Sequence, residues 1–402
     1  MKIIKGGITA PLGFRAAGIH CGIKSSKKDL ALIFSDKTAV TAGMFTTNQV
    51  KSAHVLLDLK KLHKKESQAI IVNSGNANAC NGVKGRDNAI EMSEYTAKCL
   101  DIDKQGVLVA STGIIGKPLP MNKIKKGIED IFEKLSVDGS KDAAEAILTT
   151  DTVIKEIAVD TGIKGRTPND IRIGAIAKGS GMIAPNMATM LSFITTDACI
   201  EYEELFTALR ECVNTTFNML SIDGDMSPND TVIIMANGAS RNKRIKFKTP
   251  EYKKFTDGLN YVCAYLTKKV ASDGEGATKL VEVQIKGARN IKDARRAAKA
   301  VANSNLVKTA LNGCDPNWGR ILSSLGAARI KIKPGEIDIA INSEPIVHNS
   351  ISTNFSQEKL HKILKEKEIT ITINLNVGDY SSTTYTCDMS EEYVKINAHY
   401  HT

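Results

Sequence analysis

Short apolar runs rich in β-branched residues alternate along the chain with longer segments in which apolar positions recur every three to four residues. The short runs predict strands at residues 30–34, 53–57, 69–72, 107–110, 231–235, 280–283, 337–341 and 369–375. The longer segments predict helices at residues 86–100, 202–220, 251–270 and 293–302. Strands and helices do not follow a strict strand–helix–strand order, which favours mixed α/β layers over a purely parallel sheet.

Clusters of glycine, asparagine and hydroxyl residues border three of the predicted strands, at residues 73–82, 111–113 and 272–279. Loops at strand ends commonly hold functional sites, because the sheet fixes the backbone there. Each cluster could equally be a structural turn. The basic run 243–248 has the composition of an edge strand whose lysines discourage pairing with another sheet.

Composition is that of an ordinary globular protein: 402 residues, 42% hydrophobic and 24% charged. It excludes a disordered chain, a collagen-like chain and a small disulfide scaffold, and the length suggests two or three domains or one large α/β domain with an appendage.

No segment is apolar enough to predict a membrane span. The eight cysteines are widely spaced with no CxxC pair, and no signal peptide is evident. We therefore expect reduced thiols and a cytoplasmic location.

The net charge of +10 raises the question of nucleic-acid binding. The lysines are scattered, however, and the densest basic runs, at 60–65 and 241–248, are not interleaved with stacking aromatic residues. A solvated basic surface, or attraction for small anionic substrates, is favoured. A non-catalytic binding protein that uses the strip from Arg241 to Lys248 stays open as the alternative from another class.

Signatures of histidine-dependent or metal-dependent hydrolases are absent, with no GxSxG and no HExxH motif. A threonine can act without histidine when it is the first residue of a chain, because its own α-amine, with a pKa of about 7.7–8.0, serves as the base. Residues 178–191 suit such a site: glycines and Pro185 approach a predicted strand, and Ala188 precedes Thr189 without steric hindrance. On the residues alone, a Gly/Pro loop that enters a strand remains the alternative.

The segment KGSGMIAPNMATML at 178–191 resembles the self-processing motif of the ornithine acetyltransferase family. Eight further segments resemble the same family in the same order, so the resemblance covers essentially the whole chain. They lie at residues 5–18, 72–82, 111–116, 148–152, 223–231, 272–279, 314–321 and 396–402. One departure is Pro228, where the family motif leads us to expect threonine, and it puts only the shape of that loop in doubt.

This resemblance implies a layered α/β sandwich with a smaller C-terminal lobe, of the type shared by these acetyltransferases and by aminopeptidases of similar fold. It also implies cleavage between Ala188 and Thr189, which would give an α chain of residues 1–188 and a β chain of residues 189–402. The two chains are expected to stay intertwined and to assemble as a tetramer of two α and two β chains. No metal or prosthetic group is expected.

The implied reaction transfers an acetyl group from N-acetylornithine to glutamate in ping-pong order. Thr189 would be the nucleophile, with its new α-amine as the base, and would carry the acetyl group as an ester. Thr112 and Gly113 would form the oxyanion hole through a side-chain hydroxyl and a backbone N–H. Whether acetyl-CoA also serves as a donor stays open. The runner-up is an N-terminal-threonine aminopeptidase or amidase of the same fold.

Substrate contacts carried over from the family are spread along the chain: Thr149, Lys178, Thr189, Glu275, Asn397 and Thr402. Lys178 could pair with an α-carboxylate, and Glu275 could hold an amino group. Among the threonines of 149–152, Thr149 is the one expected to contact substrate. Asn397 and Thr402 require the C-terminal tail to fold into the cleft, although terminal residues are usually frayed.

Overall fold

The fold is that of a computed structural model, which describes residues 1–183 and 190–399. Within these residues the larger body is built on a nine-stranded sheet. Its strands are β1 (Lys2–Ile4), β2 (Phe14–Ile19), β3 (Leu30–Phe45), β4 (Glu66–Asn76), β5 (Val107–Ile114), β6 (Lys155–Asp160), β7 (Arg172–Lys178), β8 (Leu191–Thr196) and β9 (Thr231–Ala236). Their order is β1-β6-β7-β8-β9-β3-β4-β5, with β2 paired to β3. The pairs β8/β9 and β4/β5 are parallel, and the other pairs are antiparallel.

Strand β3 joins the two halves of this sheet. It is 16 residues long and pairs with both β4 and β9, with a shift of the β4 register between Phe34 and Ala39. One apolar cluster combines residues from β2 to β5 with residues from β7 to β9. Each half therefore contributes to a shared inner layer.

Helices cover the outer surfaces of the two halves: α1 (Ala53–Lys61), α2 (Gly82–Leu100), α3 (Met121–Phe132), α5 (Tyr202–Thr215) and α6 (Pro250–Ser272). The short helix α4 (Ser140–Ala146) instead packs its alanines into the shared inner cluster. Helices α2 and α3 share an apolar cluster with β3 to β5, while α5 and α6 share another with β6 to β9. The result is the layered α/β sandwich expected from the sequence.

A second sheet of six strands forms the smaller C-terminal lobe in the described part of the chain. The strands are β10 (Leu280–Ala288), β11 (Asp338–Ile341), β12 (Glu344–His348), β13 (Ile351–Ser352), β14 (Glu368–Asn374) and β15 (Tyr380–Cys387). The helices of this region are α7 (Ile291–Ala302), α8 (Asn305–Asn312), α9 (Trp318–Ala327), α10 (Gln357–Leu364) and α11 (Glu391–His399). Buried and partly exposed residues alternate along β14, as in a sheet with one packed face.

Two local predictions are wrong. Residues 53–57, predicted as a strand, belong to helix α1, whose buried positions His54, Val55, Asp58 and Lys61 recur at helical spacing. Residues 243–248 do not form a strand; Ile245 makes only an isolated parallel bridge to Ile200. The positive φ angles of Arg241 (51°) and Lys248 (62°) interrupt an extended backbone on both sides.

The other predicted strands and the four predicted helices overlap elements of the structure. Two of the predicted loop clusters differ in detail, because β4 continues through Asn76 and β5 through Ile114. Residues 111–113 are therefore strand residues whose backbone is held by the neighbouring strand. Among the described helices, none has both the length and the apolar character needed to cross a membrane.

Candidate active site

A cavity of about 220 Å³ lies where the ends of β5 and β7 meet the loop before β10 and helix α11. Six of the predicted site residues line it: Thr112, Gly113, Thr149, Lys178, Glu275 and Asn397. These residues are separated by up to 285 positions in the sequence, so folding alone brings them together. The other predicted site residues, Ala188, Thr189 and Thr402, lie outside the described residues.

The predicted oxyanion pair lies near the end of β5, in parallel register with β4. Gly113 has a φ of 130°, and a Cβ at this position would lie 2.4 Å from the backbone carbon of Gly75. Only glycine fits so close an approach of two backbones. The Thr112 hydroxyl accepts a 3.4 Å hydrogen bond from the Lys178 ammonium. Thr112 and Gly113 thus lie side by side at one wall of the cavity.

Asn229, in the loop before β9, fixes this wall from behind. Its side-chain amide donates to the carbonyl of Ala77 (2.6 Å) and to that of Ser111 (2.7 Å). It therefore ties the end of β4 to the residue that precedes Thr112. Sequence reasoning quoted the segment 223–231 for its resemblance but assigned no role to Asn229.

A second, smaller cavity of about 10 Å³ adjoins Thr112 and Lys178. Met190, the residue that follows Thr189 in the sequence, also lines this cavity. Its carbonyl accepts a hydrogen bond from the Thr231 amide, 3.0 Å away. Met190, the first described residue after the segment 184–189, is therefore anchored beside the predicted oxyanion pair.

Lys178, the last residue of β7, is the only lysine or arginine among the described residues that line the larger cavity. Its side chain is 6% exposed, and its Nζ lies 4.0 Å from Oδ2 of Asp151. Burial lowers the pKa of Lys178, while the nearby Asp151 carboxylate opposes that change. A buried ammonium with one close counter-ion is suited to binding a ligand carboxylate.

Sequence reasoning missed Asp151 as an individual residue, although it noted the segment 148–152. Its side chain is fully buried. One carboxylate oxygen accepts from the Lys155 ammonium and from the Gly179 amide, each at 2.7 Å, and the other accepts from the Thr149 amide at 3.1 Å. Burial would raise the pKa of Asp151, but Lys155 and Lys178 outweigh it and hold that pKa well below its usual value.

The threonines of segment 149–152 divide between two surroundings. Thr149 and Thr150 line the cavity. Thr152 instead donates through its amide and its hydroxyl to the Asp273 carboxylate. The structure therefore leaves Thr149 and Thr150 as the members of this segment that can meet a ligand in the cavity.

Glu275 joins three parts of the site. Its amide donates to the carbonyl of Ser180 at 2.9 Å, and a Cβ on Gly181 would lie 2.3 Å from its carboxyl carbon. Its Oε2 accepts a 2.8 Å hydrogen bond from the Asn397 side chain on helix α11. The C-terminal helix thus folds against the cavity, as the resemblance led us to expect.

Asp223 was also missed by sequence reasoning. Its carboxylate accepts from the amides of Met182 (2.5 Å) and Ile183 (2.8 Å), the last described residues before the segment 184–189. Met182 has a φ of 56°, a conformation uncommon for a side chain of this size. Burial raises the pKa of Asp223. Asp223 therefore anchors the backbone that leads into the predicted cleavage segment.

Charge in the cavity is mixed. Lys178 shares the described lining with the carboxylates of Asp223, Asp225 and Glu275. Such a wall complements a small ligand that carries both an ammonium and a carboxylate. No group of three or more histidine, cysteine, aspartate or glutamate side chains in the described residues is arranged to hold a metal ion.

His54 is a fully buried histidine that borders the loop before β9. Its ring nitrogens contact the hydroxyls of Ser52 (3.0 Å) and Thr231 (3.2 Å), and its side chain does not reach the cavity lining. Burial lowers its pKa to about 3, so the ring is neutral near pH 7.

Comparison with known proteins gives the family. The model of the ArgJ family matches residues 15–402. The arginine biosynthesis bifunctional protein ArgJ of Caldanaerobacter subterraneus subsp. tengcongensis is 48% identical over 406 residues, with all of both chains covered. The chain belongs to the ArgJ family. The resemblance seen in the sequence is thereby confirmed, and the protein is an acyltransferase of arginine biosynthesis.

Other ArgJ proteins are similar to this chain to about the same degree. The ArgJ protein of Symbiobacterium thermophilum is 46% identical over 405 residues, again with both chains fully covered. A crystal structure of ArgJ from Bacillus halodurans is similar with a TM-score of 0.52 and 42% identity; the match covers 53% of this chain and 100% of that chain. That solved ArgJ chain therefore corresponds to about half of the full-length family protein.

Proposed function

We propose that this ArgJ-family protein cleaves its own backbone between Ala188 and Thr189 and then transfers acetyl from N-acetylornithine to glutamate. The observation that carries the proposal is the cavity that collects Thr112, Gly113 and Lys178 beside Met190. The Lys178 ammonium donates to the Thr112 hydroxyl there, Gly113 lies beside them, and the chain that follows Thr189 is adjacent.

The first step is self-cleavage. The Thr189 hydroxyl attacks the Ala188 carbonyl, the peptide C–N bond breaks, and an ester and a free α-amine form; water then releases the ester. A fragment from Thr189 to Thr402 has 214 of the 402 residues, or 53% of the chain. The solved ArgJ chain from Bacillus halodurans also covers 53% of this chain. This equal share supports a family protein that is cleaved at this point.

The second step is acetyl transfer. The Thr189 hydroxyl loses its proton to the α-amine and attacks the acetyl carbonyl of N-acetylornithine. Donors from Thr112 and Gly113 stabilise the oxyanion, ornithine leaves with the proton, and an acetyl ester stays on Thr189. The amine of glutamate then attacks this ester and restores the threonine. Because the ester stores the amide's acyl group, no activated donor is needed.

Substrate recognition follows from the mixed charges of the cavity. Lys178 binds the α-carboxylate of the substrate, while Glu275 and Asn397 hold an amino group, and Thr149 contacts the ligand beside them. Support comes from their shared location and from the 2.8 Å hydrogen bond between Asn397 and Glu275. Thr402 completes this set as an expectation from the resemblance.

Further properties belong to the same proposal. The relatives are named bifunctional proteins, which supports acetyl-CoA as a second acetyl donor for glutamate. The cleaved halves assemble as a tetramer of two α and two β chains. All eight cysteines are free, which is compatible with a cytoplasmic location.

Denaturing electrophoresis with N-terminal sequencing tests the cleavage. Wild-type protein should give two bands, the larger beginning Thr-Met-Leu, while Thr189→Ala should give one inactive, uncut chain. Ornithine release is then measured with and without glutamate. Release that requires glutamate supports transfer, whereas equal release without it favours the amidase alternative. An intact and fully active chain contradicts the proposal.

A further inference from the structure

Beneath the cavity lies a group of four buried charged side chains, here called the buried charge network: Asp151, Lys155, Lys178 and Asp273. Their side chains are between 0% and 6% exposed. The Lys155 ammonium bridges the two carboxylates, at 2.7 Å from Asp151 and 2.5 Å from Asp273. Two cations and two anions balance, so the network carries no net charge before a substrate binds.

The network connects the chain segments that supply the predicted substrate contacts. Asp151 accepts from the amides of Thr149 and Gly179, which places it between the 149–152 segment and the end of β7. Asp273 accepts from the Thr152 amide at 3.1 Å, and its carbonyl accepts from the Ser180 hydroxyl at 2.7 Å. A shift of either carboxylate would therefore move several walls of the cavity together.

Lys178 depends on this arrangement for its charge. A buried ammonium is costly unless an anion faces it. The charged groups near it come from several elements: Asp151, Lys155, Glu275 and Asp230, and Lys24 interacts electrostatically with both Lys178 and Asp151. Asp151 is the carboxylate within 4.0 Å of the Lys178 ammonium. Burial already lowers the pKa of Lys178, so loss of the Asp151 charge would lower it further.

We infer that Asp151 is a positioning residue for the reaction: it keeps Lys178 charged and directed at the substrate carboxylate, and Lys155 with Asp273 holds Asp151 in place. The inference rests on the proposed function, since it concerns how the same site recognises the carboxylate of N-acetylornithine. Asp151, Lys155 and Asp273 do not touch the substrate, but they determine the charge and orientation of Lys178, which does.

The test is Asp151→Asn, purified and confirmed as cleaved by electrophoresis. The ratio of kcat/KM for N-acetylornithine to that for N-acetyl-1,4-diaminobutane, which lacks the carboxylate, is measured from pH 6 to pH 9. Wild type should favour N-acetylornithine strongly. In the variant this ratio should fall at least about tenfold near pH 8, mainly through KM, and less near pH 6. Its alkaline limb should move to lower pH, because without the Asp151 carboxylate the pKa of Lys178 falls further and less of the ammonium is charged at a given pH.

Two comparisons keep the result interpretable. Asp257→Asn removes an exposed partner of Lys253 and should match wild type in ratio and pH profile. Lys155→Met with Asp273→Asn removes one cation and one anion but leaves the Asp151 carboxylate, which still accepts from the Thr149 and Gly179 amides. That double variant should lose part of the ratio, and its alkaline limb should move less than that of Asp151→Asn. If Asp151→Asn does not fold, an unchanged ratio in the double variant overturns the inference.

The outcomes separate the two claims. A wild-type protein that transfers no acetyl group contradicts the proposed function itself. A wild-type protein that transfers acetyl, with an Asp151→Asn variant of unchanged ratio and unchanged pH profile, overturns the inference. An equal loss of activity toward both donors also overturns it, because a purely structural role would reduce both alike.

Discussion

Asn397 donates a 2.8 Å hydrogen bond to the carboxylate of Glu275, 122 residues away in the sequence. The bond attaches the C-terminal helix α11 to the loop before β10, and both residues line the cavity. Replacing a terminal residue by alanine is normally of little consequence. Here the same change removes a partner of a buried carboxylate.

We expect Asn397→Ala to reduce kcat/KM for acetyl transfer by about tenfold or more, since a hydrogen bond to a charged group contributes about 1.5–3 kcal/mol. Steady-state kinetics on cleaved protein measures the effect. Lys395→Ala, on the same helix with its exposed partner Glu392, is the control and should retain wild-type kinetics. Equal kinetics for both variants would exclude Asn397 from the site.

Gly113→Ala should lower both activity and the free energy of unfolding. A Cβ there would lie 2.4 Å from the backbone of Gly75, and the φ of 130° is unfavourable for alanine. The expected destabilisation is at least about 1 kcal/mol. Thermal or urea unfolding measures it. Gly326→Ala, in helix α9 with open space around the new Cβ, should instead stabilise the protein slightly. A Gly113→Ala variant with a higher free energy of unfolding than Gly326→Ala would contradict this account.

Asn229→Ala should lower kcat while leaving KM nearly unchanged. The substitution frees the carbonyls of Ala77 and Ser111, so Thr112 loses the support behind it. The oxyanion exists only in the transition state, which is why binding is spared. Kinetics compared with Asn260→Ala, whose residue is exposed on helix α6, measures the difference. A raised KM at constant kcat would argue for direct substrate contact instead.

His54 should make the fold sensitive to acid. Its folded pKa of about 3 lies below the usual 6.5, so between these values the unfolded chain binds a proton that the folded chain does not. Stability from this residue is therefore complete above pH 6.5 and is lost as the pH falls toward 3, by up to about 1.4 kcal/mol per pH unit. Urea unfolding of wild type and His54→Gln at several pH values tests this. A wild-type slope equal to that of the variant would contradict it.

Much of the fold could be predicted from the sequence, because buried strands such as β9 and amphipathic helices such as α6 have clear apolar periodicity. Helix α1 was mistaken for a strand because its short apolar run contains Val55, Leu56 and Leu57, and only packing shows that Val55 is buried while Leu56 is exposed. The edge strand predicted at 243–248 is wrong because composition does not reveal the positive φ angles at the borders of this segment.

Residues of the candidate site could be predicted only where a family motif assigns them a role. Thr112, Gly113, Lys178 and Glu275 stand in segments with a recognisable resemblance, and the fold brings them to one cavity. Asp151, Asp223 and Asn229 stand in such segments too, yet nothing in their spacing shows that they hold the others in place. Their importance arises from burial and from contacts across long sequence separations.

The central claim is that Thr189 carries the acetyl group between the two substrates. Intact-mass and peptide mass spectrometry of cleaved protein, incubated with N-acetylornithine and no glutamate, tests it most directly. We expect one added acetyl group on the 189–402 chain, located on Thr189, and its disappearance when glutamate is added. Active protein that shows no adduct on Thr189 during such turnover would contradict the account.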